Sequence, residues 1–269
     1  LIAIEASGGY ERDLVNALHD ADLPVAVVQP GCVRHFAKSG KVLAKTDSID
    51  AQVIARFAEA QQPRLTEPTP QSVRQLRALR DRRQQIVEDR VREQNRLETC
   101  ADHAIAKHLR ASIRRLEAQE KKFDQQIAAH IKSNPQLNEK AKTMASLKGV
   151  GEQTVATLLA HMPELGQIDR QQIAALAGLA PHPREAGMWK GKRRIFAGRA
   201  AVRKVLYMAA QSAARFCPVI SVFYQRLRAQ GKQYNVAIIA CARKILVRLN
   251  TLLKTNHQKP NHLAPEGVR

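Results

Sequence analysis

Glu5 closes a short apolar run, LIAIE, and Asp47 and Asp50 stand three residues apart at the opening of TDSIDAQVIARFA. Residues three apart share a helix face, so a helix beginning at Asp47 presents both aspartates on one side. If that helix packs across the strand's end, three carboxylates converge. Such a cluster repels itself unless a hard cation neutralises it, and oxygen-only donors suit Mg²⁺ or Mn²⁺. Two such ions on a phosphodiester would hold the attacking and leaving oxygens. The aspartates are more simply explained as acids favoured by the dipole at a helix N-terminus, and on spacing alone that plainer reading is the favoured one.

A second chemical signature lies between residues 184 and 204. Arg184, Lys190, Lys192, Arg193, Arg194, Arg199, Arg203 and Lys204 face a single acid there, Glu185. Lys and Arg at this density neutralise phosphates and release counterions. A solvated basic loop is the plainer alternative. Trp189 and Phe196 can stack on unpaired bases, although an aromatic anchoring a hairpin to the core is the reading favoured for both. Upstream, LKGVGEQT reads as a Gly-rich turn opening a helix. Gly149 and Gly151 would let the backbone approach a phosphate, and the helix start would offer free N–H groups.

The whole composition points the same way. The 269 residues carry 44 Lys and Arg against 24 Asp and Glu, a net charge of +20. So large an excess calls for a polyanionic partner, nucleic acid before anionic membrane. The charge is unevenly placed. Residues 1–62 hold 6 basic and 8 acidic groups, 63–142 hold 18 and 11, and 143–269 hold 20 and 5. That gradient favours phosphate contact over mere solvation in the basic segment. No apolar run is long enough to span a bilayer. Cys32, Cys100, Cys217 and Cys241 form no CxxC pair, which argues against a disulfide framework or a zinc site and for a cytoplasmic protein. Aromatic residues are only 4%, which favours helices over an all-β sandwich.

These groups must be positioned by an α/β head followed by helices. LIAIEAS and PVAVVQ read as strands joined by a helix over SGGYERDLVNALHDAD, a βαβ unit. A basic loop, FAKSGKVLAKT, precedes a helix capped by Thr46. PRLTEPTPQS is the clearest linker. Two long polar helices follow in 70–133. Leu109, Leu116 and Phe123 recur every seven residues with Ile113 and Ile127 on the alternate seam, interrupted at Glu120. This is coiled-coil spacing, served either by an intramolecular helical hairpin or by a dimer contact. The expected domains are 1–62, 63–142 and 143–256, with a tail over 257–269. The chain opens on a core-type strand without Met or a basic leader, and is read as an N-terminally truncated copy.

IEASGGYE, about forty residues, and then KTDSIDAQVIARFA resembles the second, third and fourth acidic motifs of the DEDD transposases of insertion sequences. That family is related to the Piv DNA invertase and includes bridge-RNA-guided recombinases. LKGVGEQTVATLLAHMPELG, IAALAGLAP and GKRRIFAGRAAVRKVLYMAA resemble its second transposase domain. The resemblance implies a partial RNase H-like (RuvC-like) domain, a helical coiled-coil hairpin and a mostly helical C-terminal transposase domain. It implies Glu5, Asp47 and Asp50 as three of four acidic ligands for Mg²⁺ or Mn²⁺, the fourth lying on an earlier strand. Implied partners are DNA, a structured guide RNA and further copies in a homodimer or homotetramer, with no membrane. The family serine thought to attack DNA falls at Ala186 here, within Glu185-Ala186-Gly187. Three functions follow: a DNA transposase or site-specific recombinase, a catalytically inactive DNA- or RNA-binding remnant, and a RuvC-type metal-dependent nuclease.

Overall fold

The computed structural model describes residues 1–257 apart from 43, 45, 184, 187, 188 and 192. It divides into two compact units, Leu1–Pro70 and Gln71–Arg269. In the first, Ile2–Glu5 (β1) and Val25–Val28 (β2) pair in parallel, with Glu5 opposite Val28. Parallel neighbours need a crossover, and Arg12–Asp20 (α1) supplies it. The expected βαβ unit is therefore present.

Pro30–Ser39 (α2) begins with proline in its first turn, where the missing N–H has no intrahelical partner to lose. The basic loop expected from Phe36 is helical as far as Ser39. Val33 and Ala37, one turn apart, bury together against Val28 and Val53, which outweighs the polar residues between them. Asp47–Gln61 (α3) starts at the expected cap: Thr46 Oγ1 accepts from the Ile49 N–H at 3.3 Å. The proline-bearing stretch is not a free linker. The Thr66 N–H donates to the Val25 carbonyl at 2.8 Å, and the Val27 N–H donates to Thr66 Oγ1 at 2.9 Å. These bonds bind it to β2 and carry the first unit to Pro70, past the expected boundary at 62.

The second unit opens with Gln71–Glu98 (α4) and His103–Ser133 (α5). Arg83 meets Asp124 and Arg90 meets Glu120, so the two helices run antiparallel. Of the heptad stripe, Ile113 and Ile127 are buried, and Leu109, Leu116 and Phe123 half-buried, within a single chain. The pair is thus an intramolecular hairpin.

Beyond it lie Pro135–Ala145 (α6), Glu152–His161 (α7), Arg170–Leu176 (α8), Ala200–Phe216 (α9), Pro218–Ala229 (α10) and Tyr234–His257 (α11). α7 is buried continuously from Thr154 to Ala160, as a helix surrounded by others must be. Leu158, Ile173, Leu206, Ile220 and Ile245 are fully buried in this core. Leu76 and Ile127 of the hairpin share that core with the helices beyond residue 142, where the expected boundary falls. Between α8 and α9, Pro181–His182 (β3) pairs antiparallel with Arg194–Ile195 (β6). Nested beyond it, Glu185–Ala186 (β4) pairs with Trp189–Lys190 (β5). At a coarse level the α/β-plus-α class holds, with helix predominating. All four cysteines are free. Among the described residues no single helix is long and apolar enough to cross a membrane.

Candidate functional site

Glu5 ends β1 half-buried, and its backbone ladder continues one residue further through the Ala6 N–H to the Val28 carbonyl at 2.9 Å. It borders a groove of about 880 Å³ whose α3 wall is Ala51, Ile54, Ala55, Ala58 and Glu59. Asp47 is exposed and Asp50 half-exposed in the first turn of α3, and neither lines that groove. At 100° per residue Asp47 lies above Ala51 on the groove side, while Asp50 is turned to the flank. Among the described residues no three His, Cys, Asp or Glu side chains are grouped to hold a metal ion. The donors are of the type Mg²⁺ and Mn²⁺ take, but the three carboxylates as they stand do not make a cation site.

The loop leaving Glu5 is organised by a residue outside the expected set. Glu11 Oε2 accepts from the Ser7 N–H at 2.9 Å, the Gly9 N–H at 2.8 Å and the Ser7 hydroxyl at 3.1 Å. Burial pushes this carboxyl's pKa up, but the converging donors outweigh it and hold it at about 2. The spacing Ser7-x-x-x-Glu11 was the available signal. It resembles many surface pairs, and only the backbone bend at Gly8 and Gly9 turns it into a loop lock.

The basic segment is a β-hairpin. Ala186 pairs with Trp189; the side chains of residues 184–190, including Ala186, Trp189 and Lys190, and the whole of Arg184, Gly187, Met188 and Lys192, lie outside the described residues. The remaining cations divide into two sets. Arg193, Arg194 and Lys204 are exposed. Arg199 instead forms a two-pronged ion pair with Glu164, both contacts at 2.6 Å, and donates to the His161 carbonyl at 2.8 Å. Burial pushes the Glu164 carboxyl up, and Arg199 more than reverses this, holding it below the usual range. Arg203 donates to the Ala197 carbonyl at 2.6 Å. Arg199 and Arg203 therefore fasten the hairpin's base. Gly178 completes that base at φ +68°: a Cβ there would lie 2.2 Å from the Ala197 carbonyl oxygen. Phe196 does not anchor the hairpin to the core. It is 62% exposed, and its ring meets that of His182 at 4.6 Å.

The turn between α6 and α7 also separates its two glycines. At Gly149, φ is +95° and a Cβ would lie 2.6 Å from that of Ala213. The close approach it permits here is to α9. Gly151, the N-cap of α7, is exposed with open space beside it, so it alone keeps the expected opening toward an anion.

An α/β unit with an acidic edge, joined to a strongly cationic helical unit, is the layout of a protein that handles nucleic acid. Residues 1–106 match the model of the DEDD transposase of the IS110 type, and residues 141–225 match that of the "Transposase IS116/IS110/IS902 family". The chain is 28% identical to the pilin gene-inverting protein of Moraxella bovis over 260 residues, 95% of this chain and 80% of that one. The counterpart in Moraxella lacunata gives the same identity and coverage. A 42 kDa protein of insertion element IS900 from Mycobacterium paratuberculosis is 35% identical over 118 residues, 42% of this chain and 28% of its own. The chain belongs to the IS110 family of transposases and site-specific recombinases.

Proposed function

We propose that this chain acts on DNA in the recombination of an insertion sequence, directed by a structured RNA, and that in its present form it holds DNA without cutting or joining it. The observation that carries this is the hairpin itself: exposed Arg193 and Arg194 belong to the same segment as the β4–β5 pair, whose serine position is Ala186. Guanidinium groups there neutralise phosphates, while a methyl group cannot attack phosphorus. The relatives named as gene-inverting proteins support rearrangement of DNA as the process.

The RNase H-like reading of the first unit belongs to the same proposal, supported by the parallel β1–α1–β2 unit with Glu5 at the carboxyl end of β1, where such sites gather. Glu5, Asp47 and Asp50 are the oxygen donors this unit offers to a divalent cation. They are not grouped as they stand, so a bound cation would draw them together or take further donors. Handling two duplexes at once favours a homodimer or homotetramer.

The test is strand exchange between donor and target DNA with the element's RNA, alongside binding of both. The unaltered chain should bind and leave every strand intact. Ala186→Ser alone should also fail to join strands, because the three carboxylates remain ungrouped. Recombination by the unaltered chain would place the nucleophile elsewhere, with the half-buried Ser212 of α9 and Ser221 of α10 next to be changed.

A further inference from the structure

The basic hairpin holds only part of the molecule's excess positive charge. From Ala200 to His257, through α9, α10 and α11, ten Lys and Arg occur without a single Asp or Glu. Two of the ten are brought to one aromatic ring from different helices. Lys244 of α11 places Nζ 4.3 Å from the centroid of Phe223, and Arg226 of α10 places its guanidinium carbon 5.3 Å from the same centroid. Phe223 is half-buried and packs on the core, so the ring is a fixed platform. Neither cation makes a hydrogen bond or an ion pair among the described residues.

A ring quadrupole attracts each cation, but it cannot neutralise charge. Two cations held at one ring also repel each other. On a surface without carboxylates, the group that relieves this is an anion from outside. Cations fixed on a rigid platform lose little freedom on binding it.

We infer that Arg226 and Lys244, braced on Phe223, form a second phosphodiester-binding site on α10 and α11, in addition to the hairpin. The inference rests on the proposed nucleic-acid binding and adds where the backbone is held. Phosphates of duplex DNA and of structured RNA share the chemistry this pair recognises.

The experiment uses the full chain with a short DNA duplex and, separately, a hairpin RNA, measuring affinity across a salt series. Arg226→Gln with Lys244→Gln leaves Phe223 in place. It should weaken binding to at least one probe and flatten the slope of log K against log salt by about 1.8 for DNA or about 1.4–1.8 for RNA, the value for two lost phosphate contacts. Exchanging the cations, Arg226→Lys with Lys244→Arg, should restore most of that slope. In the unaltered chain, bound nucleic acid should protect the Lys244 amine from acylation, a readout that needs no variant. The inference is overturned if Lys244 stays reactive under saturating DNA and RNA, or if the Gln pair keeps the full slope while Arg194→Ala lowers it. It is also overturned if the Gln pair loses only binding to phosphatidylserine vesicles, which would make the surface a lipid contact. Loss of the underlying reading shows differently, as an unaltered chain without salt-dependent binding to either nucleic acid.

Discussion

Glu11 shows how one carboxylate sets the exit from the acidic edge. With three donors on one oxygen, Glu11→Ala should leave β1 paired but speed amide hydrogen exchange at Ser7 and Gly9 relative to Ala6. The pH dependence has a fixed sign. A carboxyl whose folded pKa is depressed contributes fully above its ordinary value and loses that contribution as pH falls through the folded one. Protection of these amides should therefore persist through the ordinary glutamate range and fade only as pH approaches about 2. Gly178 gives the second prediction at this scale. An added Cβ meets backbone atoms, which cannot swing away as a side chain would. Gly178→Ala should lower unfolding stability by roughly 2 kcal/mol, seen as a shifted denaturant midpoint. At this scale the sequence revealed identity better than distance. The place of Glu5 at a strand end, of Asp47 and Asp50 in the first turn of a helix, and the Thr46 cap were legible from type and spacing. Which residues of α3 line the groove beside Glu5 depends on how strand and helix pack, which no local pattern encodes.

At the scale of elements, the α4–α5 hairpin is held by ions as much as by apolar contact. Glu120, which breaks the heptad stripe, accepts Arg83 on one oxygen at 2.6 Å and Arg90 on the other at 3.0 Å. Arg83 also meets Asp124 at 2.5 Å. Asp124 in turn accepts from Gln153 at 2.7 Å. The buried Arg80 donates to Gln153 at 2.8 Å and to Thr157 at 2.7 Å, tying α4 to α7. Burial raises the Asp124 carboxyl, but Arg83 and Gln153 more than reverse this and hold it low. Asp124 thus stabilises the fold above the ordinary aspartate pKa and ceases to as pH falls through its depressed value. Arg83→Ala leaves two partly buried carboxylates without their shared cation and should cost about 3 kcal/mol. It should also remove part of the acid sensitivity, measured by urea unfolding at neutral pH and below about pH 4. The heptad spacing correctly announced a helix pair. It could not announce why Glu120 interrupts it, because the answering arginines lie 30 and 37 residues away.

For the whole molecule, charge placement was the most legible property, and its use the least. Sequence alone located the basic hairpin, yet counted Arg199 with Arg193 and Arg194. The ion pair of Arg199 with Glu164 bridges 35 residues and two elements. Likewise the Pro-rich stretch after α3 has linker composition, and only the bond from Thr66 to Val25 makes it part of the first unit. If about six phosphates are engaged, DNA affinity should fall by roughly 10³ between about 50 and 200 mM salt, as read by fluorescence anisotropy. Solution molar mass from light scattering should exceed one chain if the proposed dimer or tetramer forms.

The attachment of α4 to α7 through Arg80 also has a mechanical side. Past that residue the two-helix arm runs a further eighteen residues to Glu98, about 27 Å at helical rise. An arm fixed near one end is a lever. A pivot of about seven degrees at Arg80 carries the far end through roughly 3.4 Å, the rise of one base pair. A repacking at α7 too slight to disturb the core is therefore magnified, at the tip, to the natural step of a duplex.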